Sequence, residues 1–569
     1  MIERLDNRTA RTEEPIPPRR RGRRALRWLL RGILALLGLA VLALAVGFLW
    51  LRGRLTDSLP RLEGEAAVAG LAAPVTIERD ALGIPTVRAG SRLDVARATG
   101  FLHAQERYFQ MDFLRRQAAG ELAELIGERL LPADRRLRPH RFRAEAGRVL
   151  RDAPPAIRAL LEAYAQGVNQ GLGSLEGKPF EYLLLGTEPA PWKPEDSLLV
   201  QFSMFLLLQD ETGEYESILG VMQDELPPEL AGFLAPLGTR EWDAPLAGDP
   251  LDAPPVPGPE AVDLRAAPMP KAASRRRNVE TVEEDMLLAG PLAASNAWAV
   301  AGSHTADGRS LLAVDMHLAL AAPNIWYRAT LVWPAAGRGE RRVTGVTIPG
   351  VPLVVVGSNG SVAWGFTNSR VDTTDVVVLE IDPRNPDAYL TPGGPRRFER
   401  HREVLRTSGG TEETIEVPWT IWGPVIAKDH RGRQRALRWV AHEPGAVNLD
   451  LVGIETARTV DEALAIARRS GIPAQNFVTA DSAGHIGWTI AGRVPRRLGY
   501  DGRLPASWAD GSRRWDGWLA DGEIPRSVDP ASGRIWSANQ RMAGGADLER
   551  LGDGNYVLGA RAGQIRDGL

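Results

Sequence analysis

Gly290-Pro-Leu-Ala-Ala-Ser-Asn-Ala-Trp298 decides how the rest of this chain is read. Cutting the peptide bond after Ala294 would make Ser295 a chain start carrying both a hydroxyl and an α-amine. That amine has a reference pKa of roughly 8, so it can act as general base for its own hydroxyl near neutral pH. One residue then supplies both halves of a catalytic pair. A capping or turn serine is the alternative for any isolated serine, and the sequence on either side chooses between the two.

Downstream stand Ser295-Asn-Ala-Trp-Ala-Val-Ala-Gly-Ser303, Leu311-Leu-Ala-Val-Asp-Met-His-Leu-Ala-Leu320, Ala322-Pro-Asn-Ile-Trp-Tyr327 and Gly357-Ser-Asn-Gly-Ser-Val-Ala-Trp-Gly-Phe-Thr-Asn368. Upstream stand Gly83-Ile-Pro-Thr-Val-Arg88, Ala98-Thr-Gly-Phe-Leu-His-Ala-Gln-Glu-Arg-Tyr-Phe-Gln-Met-Asp112 and Arg115-Arg-Gln-Ala-Ala-Gly-Glu-Leu-Ala-Glu124. In order and spacing these blocks resemble the penicillin acylase family of N-terminal nucleophile hydrolases, from about Val75 to Gly568. The resemblance implies an α+β fold, the four-layer αββα sandwich of that family. It also implies an autoprocessed amidohydrolase that cleaves an N-acylated substrate through an acyl-serine intermediate at Ser295. A membrane-anchored binding or structural relative that keeps the fold without processing is the alternative.

The same resemblance assigns roles residue by residue. Asn368 closes the Trp-Gly-x-Thr-x block, and its backbone N–H is expected in the oxyanion hole. Asn539, from Ser537-Ala-Asn-Gln540, is expected to offer its side-chain amide as the second donor; Gln540 stands where the family usually has another asparagine. Arg561 is expected beside the nucleophile's amine, where a fixed positive charge favours the neutral base. His317 is expected to support the nucleophile and Asn296 to orient it. Phe205, Gln209, Leu318 and Val356 are expected around the acyl pocket, a more aliphatic set than in relatives that take aromatic acyl groups. A structural Ca2+ is expected on Asp372, the carbonyl oxygen of Thr374, Asp375 and Glu216, with Glu214 fitting nearly as well, since hard oxygen ligands suit that ion. The expected substrate is a small-molecule amide with an apolar acyl group. The mature form is expected to be a non-covalent two-chain heterodimer.

Composition fits a globular enzyme: 569 residues, 44% hydrophobic and 25% charged, with 69 basic against 71 acidic side chains. That balance gives no reason to expect nucleic acid. The absence of cysteine excludes disulfides, thiolate catalysis and Cys-ligated zinc. Gly-x-Ser-x-Gly, His-Glu-x-x-His and a Gly-Lys-Ser/Thr phosphate loop are all missing, which disfavours hydrolases of other types.

Organisation follows from shifts in composition. Residues 1–31 form a basic N-terminus with seven arginines between Arg19 and Arg31, and Gly32 to Leu51 is an uncharged run of 20 residues, long enough to span a bilayer. The positive-inside rule leaves the N-terminus cytoplasmic and the bulk of the chain extracytoplasmic, periplasmic or extracellular. An uncleaved signal anchor is the reading; a cleaved signal peptide competes, because Ala43-Leu-Ala45 offers small residues. Residues 60–243 read as a mainly helical small-chain region, opened by a capping-box-like Ser91 and Asp94. Residues 244–294 are proline-rich and charged, read as a linker or an excised spacer. Residues 295–569 read as a β-rich large-chain region, with short apolar runs at Leu311–Val314, Leu353–Val356, Ala363–Thr367 and Val376–Leu379. Since family members usually continue past the Arg561 element, C-terminal truncation is expected.

Overall fold

The computed structural model describes residues 21–263, 265, 294–318, 321–335, 337 and 339–569. Most of the expected spacer, including Gly290 to Ala293, lies outside them, as do residues 1–20 of the basic N-terminus. The chain forms two compact units, Met1–Leu59 and Pro60–Leu569.

The first unit is the helix Arg21–Asp57. Its Leu- and Ala-rich sequence contains no proline, so propensity alone favours the helix over its whole length. The part from Leu26 to Asp57 contains an 18-residue stretch with a mean hydropathy of 2.7 and is long and apolar enough to cross a membrane.

The second unit is α+β. Its longest helix, Arg92–Ala119, starts where the Ser91 hydroxyl accepts from Asp94 N–H (3.1 Å) and stops at Gly120 in the left-handed conformation. It packs on the helix Pro155–Gly173 so closely that a Cβ on Gly167 would lie 1.9 Å from the Arg97 carbonyl. The helix Asp196–Leu208 packs beside them, and these helices share one large apolar core with the main sheet.

That sheet has nine strands, ordered Thr76–Arg79, Pro85–Arg88, Tyr327–Pro334, Glu340–Thr347, Val354–Ser358, Val362–Asn368, Gln475–Asp481, Ile486–Ala491 and Arg526–Val528. Pro85–Arg88 runs parallel to Tyr327–Pro334. Sequence from both sides of residues 244–294 therefore builds one sheet, and the expected small- and large-chain regions are interlocked rather than separate bodies.

A three-stranded sheet, Arg534–Ser537, Ala294–Val300, Leu311–His317, lies against the nine-stranded one. Its close approach depends on Gly365, where a Cβ would lie 2.3 Å from a methyl of Val314. Between the sheets sits a second apolar cluster containing Ala297, Ala299, Val478, Trp488 and Ile490. On the register, Gly365, Val478 and Trp488 share one face, whereas Gly487 and Thr479 share the other. The helix Val460–Arg469 covers that second face through Val460 and Leu464, which close on Gly487.

The beginning of the expected spacer is packed against the small sheet and its flanking loop. The Ala244 carbonyl accepts from Trp536 Nε1 (3.1 Å) and Gln540 Nε2 (3.2 Å), and Leu246 and Ala247 N–H both donate to the Met542 carbonyl. Its prolines prevent regular structure, but Leu246 joins the apolar cluster between the sheets.

Candidate active site

Ser295 is the second residue of the middle strand of the small sheet, and it is buried. Strand alternation puts Ser295, Ala297 and Ala299 on the inward face and Asn296 and Trp298 on the outward one. Small inward residues let this strand sit close to Val362–Asn368, which ends at Asn368.

Three later residues close on Ser295. Its backbone N–H donates to Asn539 Oδ1 (3.0 Å), and Asn539 Nδ2 donates to the Asn368 carbonyl (2.9 Å). Arg561 Nη2 donates to the same Asn539 Oδ1 (3.0 Å) and to the Ala538 carbonyl (2.9 Å), while Nη1 donates to the Ser295 carbonyl (3.0 Å) and Asn296 Oδ1 (2.7 Å). Burial holds the Arg561 guanidinium below its ordinary value, with Asp315 opposing. The structure thus brings Ser295, Asn296, Asn368, Asn539 and Arg561 together. Gln540 serves the backbone, its Oε1 accepting from Ala538 N–H (2.6 Å).

His317 is placed elsewhere. The ladder sets it opposite Ala294 and sets Met316 opposite Ser295, so its imidazole projects from the face away from the Ser295 hydroxyl. There it is half-exposed, with Nδ1 3.2 Å from Asp315 Oδ2. Asp315 in turn accepts from Asn296 Nδ2 (3.0 Å), so among the described residues His317 connects to the nucleophile through Asp315, Asn296 and Arg561. Asp315 escaped the sequence reading, although its position directly opposite Asn296 in a hairpin could have suggested it.

Beside Ser295 lies an almost wholly apolar cavity of about 110 Å³. Leu318 and Val356 line it, with Val200, Met204, Leu208, Met316, Trp326 and Ile472. Phe205 does not. Val200, Met204 and Leu208 form one stripe of the helix Asp196–Leu208, whereas Phe205 turns into the core against Phe202 and Trp439. Gln209 does not line it either: its Oε1 accepts from Trp439 Nε1 (2.8 Å), and the residue borders a second, polar cavity of about 650 Å³ that also reaches Asn368. The spacing i, i+4, i+8 was the available signal for Val200, Met204 and Leu208.

Glu216, Asp372 and Asp375 do converge, with a guanidinium held between the two aspartates. Arg497 Nη2 lies 2.8 Å from Asp372 Oδ1 and 2.9 Å from Asp375 Oδ2, and its Nε donates to Asp375 Oδ2 (3.0 Å). Asp375 also accepts from Trp515 Nε1, and Glu216 Oε2 accepts from Val376 N–H (2.6 Å). Thr374 Oγ1 donates to the Asp210 carbonyl (3.2 Å), and its strand residue is laddered to Trp439. Glu214 lies on the helix Glu214–Glu225 at the polar cavity. Burial, then Asp375 and Asp372, raise the Glu216 carboxyl well above the usual carboxylate range. Among the described residues no three acidic or histidine side chains are disposed to hold a metal. Two of the expected calcium ligands, Asp372 and Asp375, already face an internal cation, Arg497, while Asp372 Oδ2 is buried with no hydrogen-bond partner among the described residues.

A family model described as penicillin amidase matches residues 74–569. The penicillin acylase 2 proenzyme of Pseudomonas sp. (strain SE83) is 34% identical, over 86% of this chain and 62% of that protein. The acyl-homoserine lactone acylase QuiP of Pseudomonas aeruginosa is 31% identical, over 86% of this chain and 58% of that protein. A thermostable penicillin G acylase from Alcaligenes faecalis, solved in an orthorhombic form, is 24% identical, covers 46% of each chain and gives a TM-score of 0.39. The chain thus spans 62% and 58% of the length of the two curated relatives. Matched over a stretch that includes Ser295, Asn368, Asn539 and Arg561, it belongs to the penicillin amidase family.

Proposed function

We propose that the chain is an autoprocessed acylase, hydrolysing a small-molecule amide with an apolar acyl group through an ester on Ser295. The observation that carries this reading is the meeting of Ser295 N–H and Arg561 on one oxygen of Asn539. In the precursor, Ser295 Oγ attacks the Ala294 carbonyl, the Ala294–Ser295 C–N bond breaks, and water resolves the resulting ester into a carboxylate and a free N-terminal serine. The freed amine stays on Asn539 Oδ1, and the nearby Arg561 charge lowers its pKa, keeping it neutral and basic.

Turnover repeats the sequence with an external amide. The amine takes the Ser295 hydroxyl proton as Oγ attacks, the acyl group lodges in the apolar cavity, and the leaving amine accepts the proton. Asn368 N–H and Asn539 Nδ2 bind the oxyanion, the latter exchanging its bond to the Asn368 carbonyl. Relatives named as penicillin and acyl-homoserine lactone acylases support the substrate class, an N-acylated small molecule.

The finer architecture belongs to the same proposal. The helix Val460–Arg469, the two sheets, and the helix Ala560–Gly568 beyond the small sheet support a four-layer αββα sandwich. The mature form is a non-covalent heterodimer held by the shared nine-stranded sheet, and the apolar helix anchors it with the catalytic region outside the cytoplasm. The second cut falls beyond Leu251, since Asp243 is ion-paired to buried Arg541 and accepts from Leu251 N–H.

Intact-mass and N-terminal analysis of wild type beside Ser295→Ala tests this. Wild type should yield a fragment starting at Ser295 and a small chain ending past Leu251; the variant should stay whole and inactive. Efficient processing of Ser295→Ala, or amide hydrolysis by wild type with no new terminus at 295, overturns the proposal.

A further inference from the structure

The apolar cavity at Ser295 and the larger polar cavity adjoin at Leu208, which lines both. If the first takes the acyl group, the second lies on the side of the departing amine, and its chemistry describes that half of the substrate. Three buried donors of residues bordering it, Arg370 Nε, Gln209 Nε2 and Arg503 Nε, and one acceptor, Asp372 Oδ2, have no hydrogen-bond partner among the described residues; Arg503 is ion-paired with Asp553, and Asp372 with Arg497. The orientation of the Gln209 amide is fixed, because Trp439 Nε1 can only donate and therefore selects Oε1, leaving the NH2 group unanswered.

Arg370 is also held in an uncommon backbone conformation, φ 53°, by Gly554, whose N–H donates to the Arg370 carbonyl (3.1 Å) and whose missing Cβ would lie 2.7 Å from it. No carboxylate among the described residues forms an ion pair with it; burial holds its guanidinium below the ordinary value, and the Asp210 charge opposes that. Of the six acidic side chains lining the cavity, Asp210 accepts from Thr212, Glu214 and Tyr215 N–H, Glu216 accepts from Val376 N–H, Asp553 pairs with Arg503, and Asp372 pairs with Arg497 through Oδ1; Glu211 and Glu214 complete the set. Unanswered buried donors next to an oxyanion position call for an acceptor on the ligand.

We propose that Arg370, assisted by Gln209, recognises a carboxylate on the amine half of the substrate, so that the chain prefers N-acyl amino-acid-like amides over amides with a neutral amine half. This rests on the acylase reading, from which it differs by committing to the leaving group. A guanidinium fork and a carboxylate match in charge and geometry, and a charge-assisted bond of this kind gives about tenfold discrimination or more.

The test uses processed wild-type protein and matched pairs, N-acylglycine against N-acylglycinamide, with acyl groups from butanoyl to dodecanoyl and phenylacetyl. The expected result is a kcat/KM at least about tenfold higher for the glycine member, carried by KM. Arg370→Gln should bring the ratio to near one, and Arg370→Lys should keep part of it. In wild type, free phenylalanine should inhibit more strongly than phenylalaninamide, a measurement that needs no variant to fold. Equal turnover of both members, or a preference that survives Arg370→Gln, overturns this inference and leaves the acylase reading standing. Failure to hydrolyse any pair, with no terminus at Ser295, overturns both.

Discussion

Asn539 offers the sharpest test, because its two side-chain atoms do different work. It sits at φ 70°, left-handed, a conformation asparagine tolerates and alanine adopts only at a cost of roughly 1–2 kcal/mol. Its Oδ1 satisfies the buried Ser295 N–H and receives Arg561, so removing it orphans a donor at about 1–3 kcal/mol more. Its Nδ2 is the proposed oxyanion donor, whose loss costs on the order of a hundredfold to a thousandfold in turnover. Asn539→Ala should therefore lose about 2–5 kcal/mol of stability and process very slowly. Asn539→Gly spares the backbone term and should recover roughly 1 kcal/mol of that. Asn539→Asp keeps the acceptor for Ser295 N–H and Arg561 but sets a carboxylate oxygen against the Asn368 carbonyl, so it should keep the backbone term, lose about 1–3 kcal/mol and process at least about a hundredfold more slowly. Denaturant titration and the half-time of precursor conversion, followed by intact mass, measure both quantities. Wild-type processing in Asn539→Asp would refute the two-atom division of labour.

Arg497 and Glu211 give two further expectations. A chelator should leave the wild-type Tm unchanged, whereas Arg497→Met should lose about 3–5 kcal/mol, by stranding buried carboxylates, and regain part of it on added calcium; a chelator-induced fall in wild-type Tm would show the guanidinium is not the resident cation. Burial pushes the Glu211 carboxyl up from 4.5 to about 7, aided by Asp210 and opposed by Arg136. The folded state then holds this proton more tightly than the unfolded one, so its contribution is fully present below about pH 4.5 and is lost as pH rises through about 7, a difference of roughly 3 kcal/mol. Glu211→Gln should remove that slope, and identical pH–stability curves for the two proteins would refute it.

How much of this was legible in the sequence varies with the range of the interaction. Strand and helix content followed from local patterning, whereas Asn539 and Arg561 were marked by the resemblance to the penicillin acylase family. The side of the strand on which His317 emerges was also available, since the spacing between it and Ser295 is even, but only once the hairpin register was known to put Ala294, not Ser295, opposite it. Phe205 could not be assigned between pocket and core without knowing that Phe202 and Trp439 pack on its side of the helix. Arg497 lies 122 residues from Asp375, and nothing local marks it as their partner.

The register also explains why the site is built where it is. Ser537 pairs with Ala297 and Arg534 with Val300, so continuing the ladder would set Asn539 opposite Ser295 and Ala538 opposite Asn296. The ladder ends first. Asn539 turns left-handed, and its side-chain carbonyl replaces a backbone carbonyl as the acceptor for Ser295 N–H, while Arg561 bridges the opened strands through the carbonyls of Ala538 and Ser295. A backbone ladder would secure this N–H equally well in the precursor, but it would offer no side-chain amide to an oxyanion and no cation beside a new amine. Ending the pairing two residues early holds Ser295 through its own nitrogen and carbonyl, on Asn539 and Arg561, and both atoms stay with the serine when the Ala294–Ser295 bond breaks, so the position of Ser295 can survive the cut that activates it.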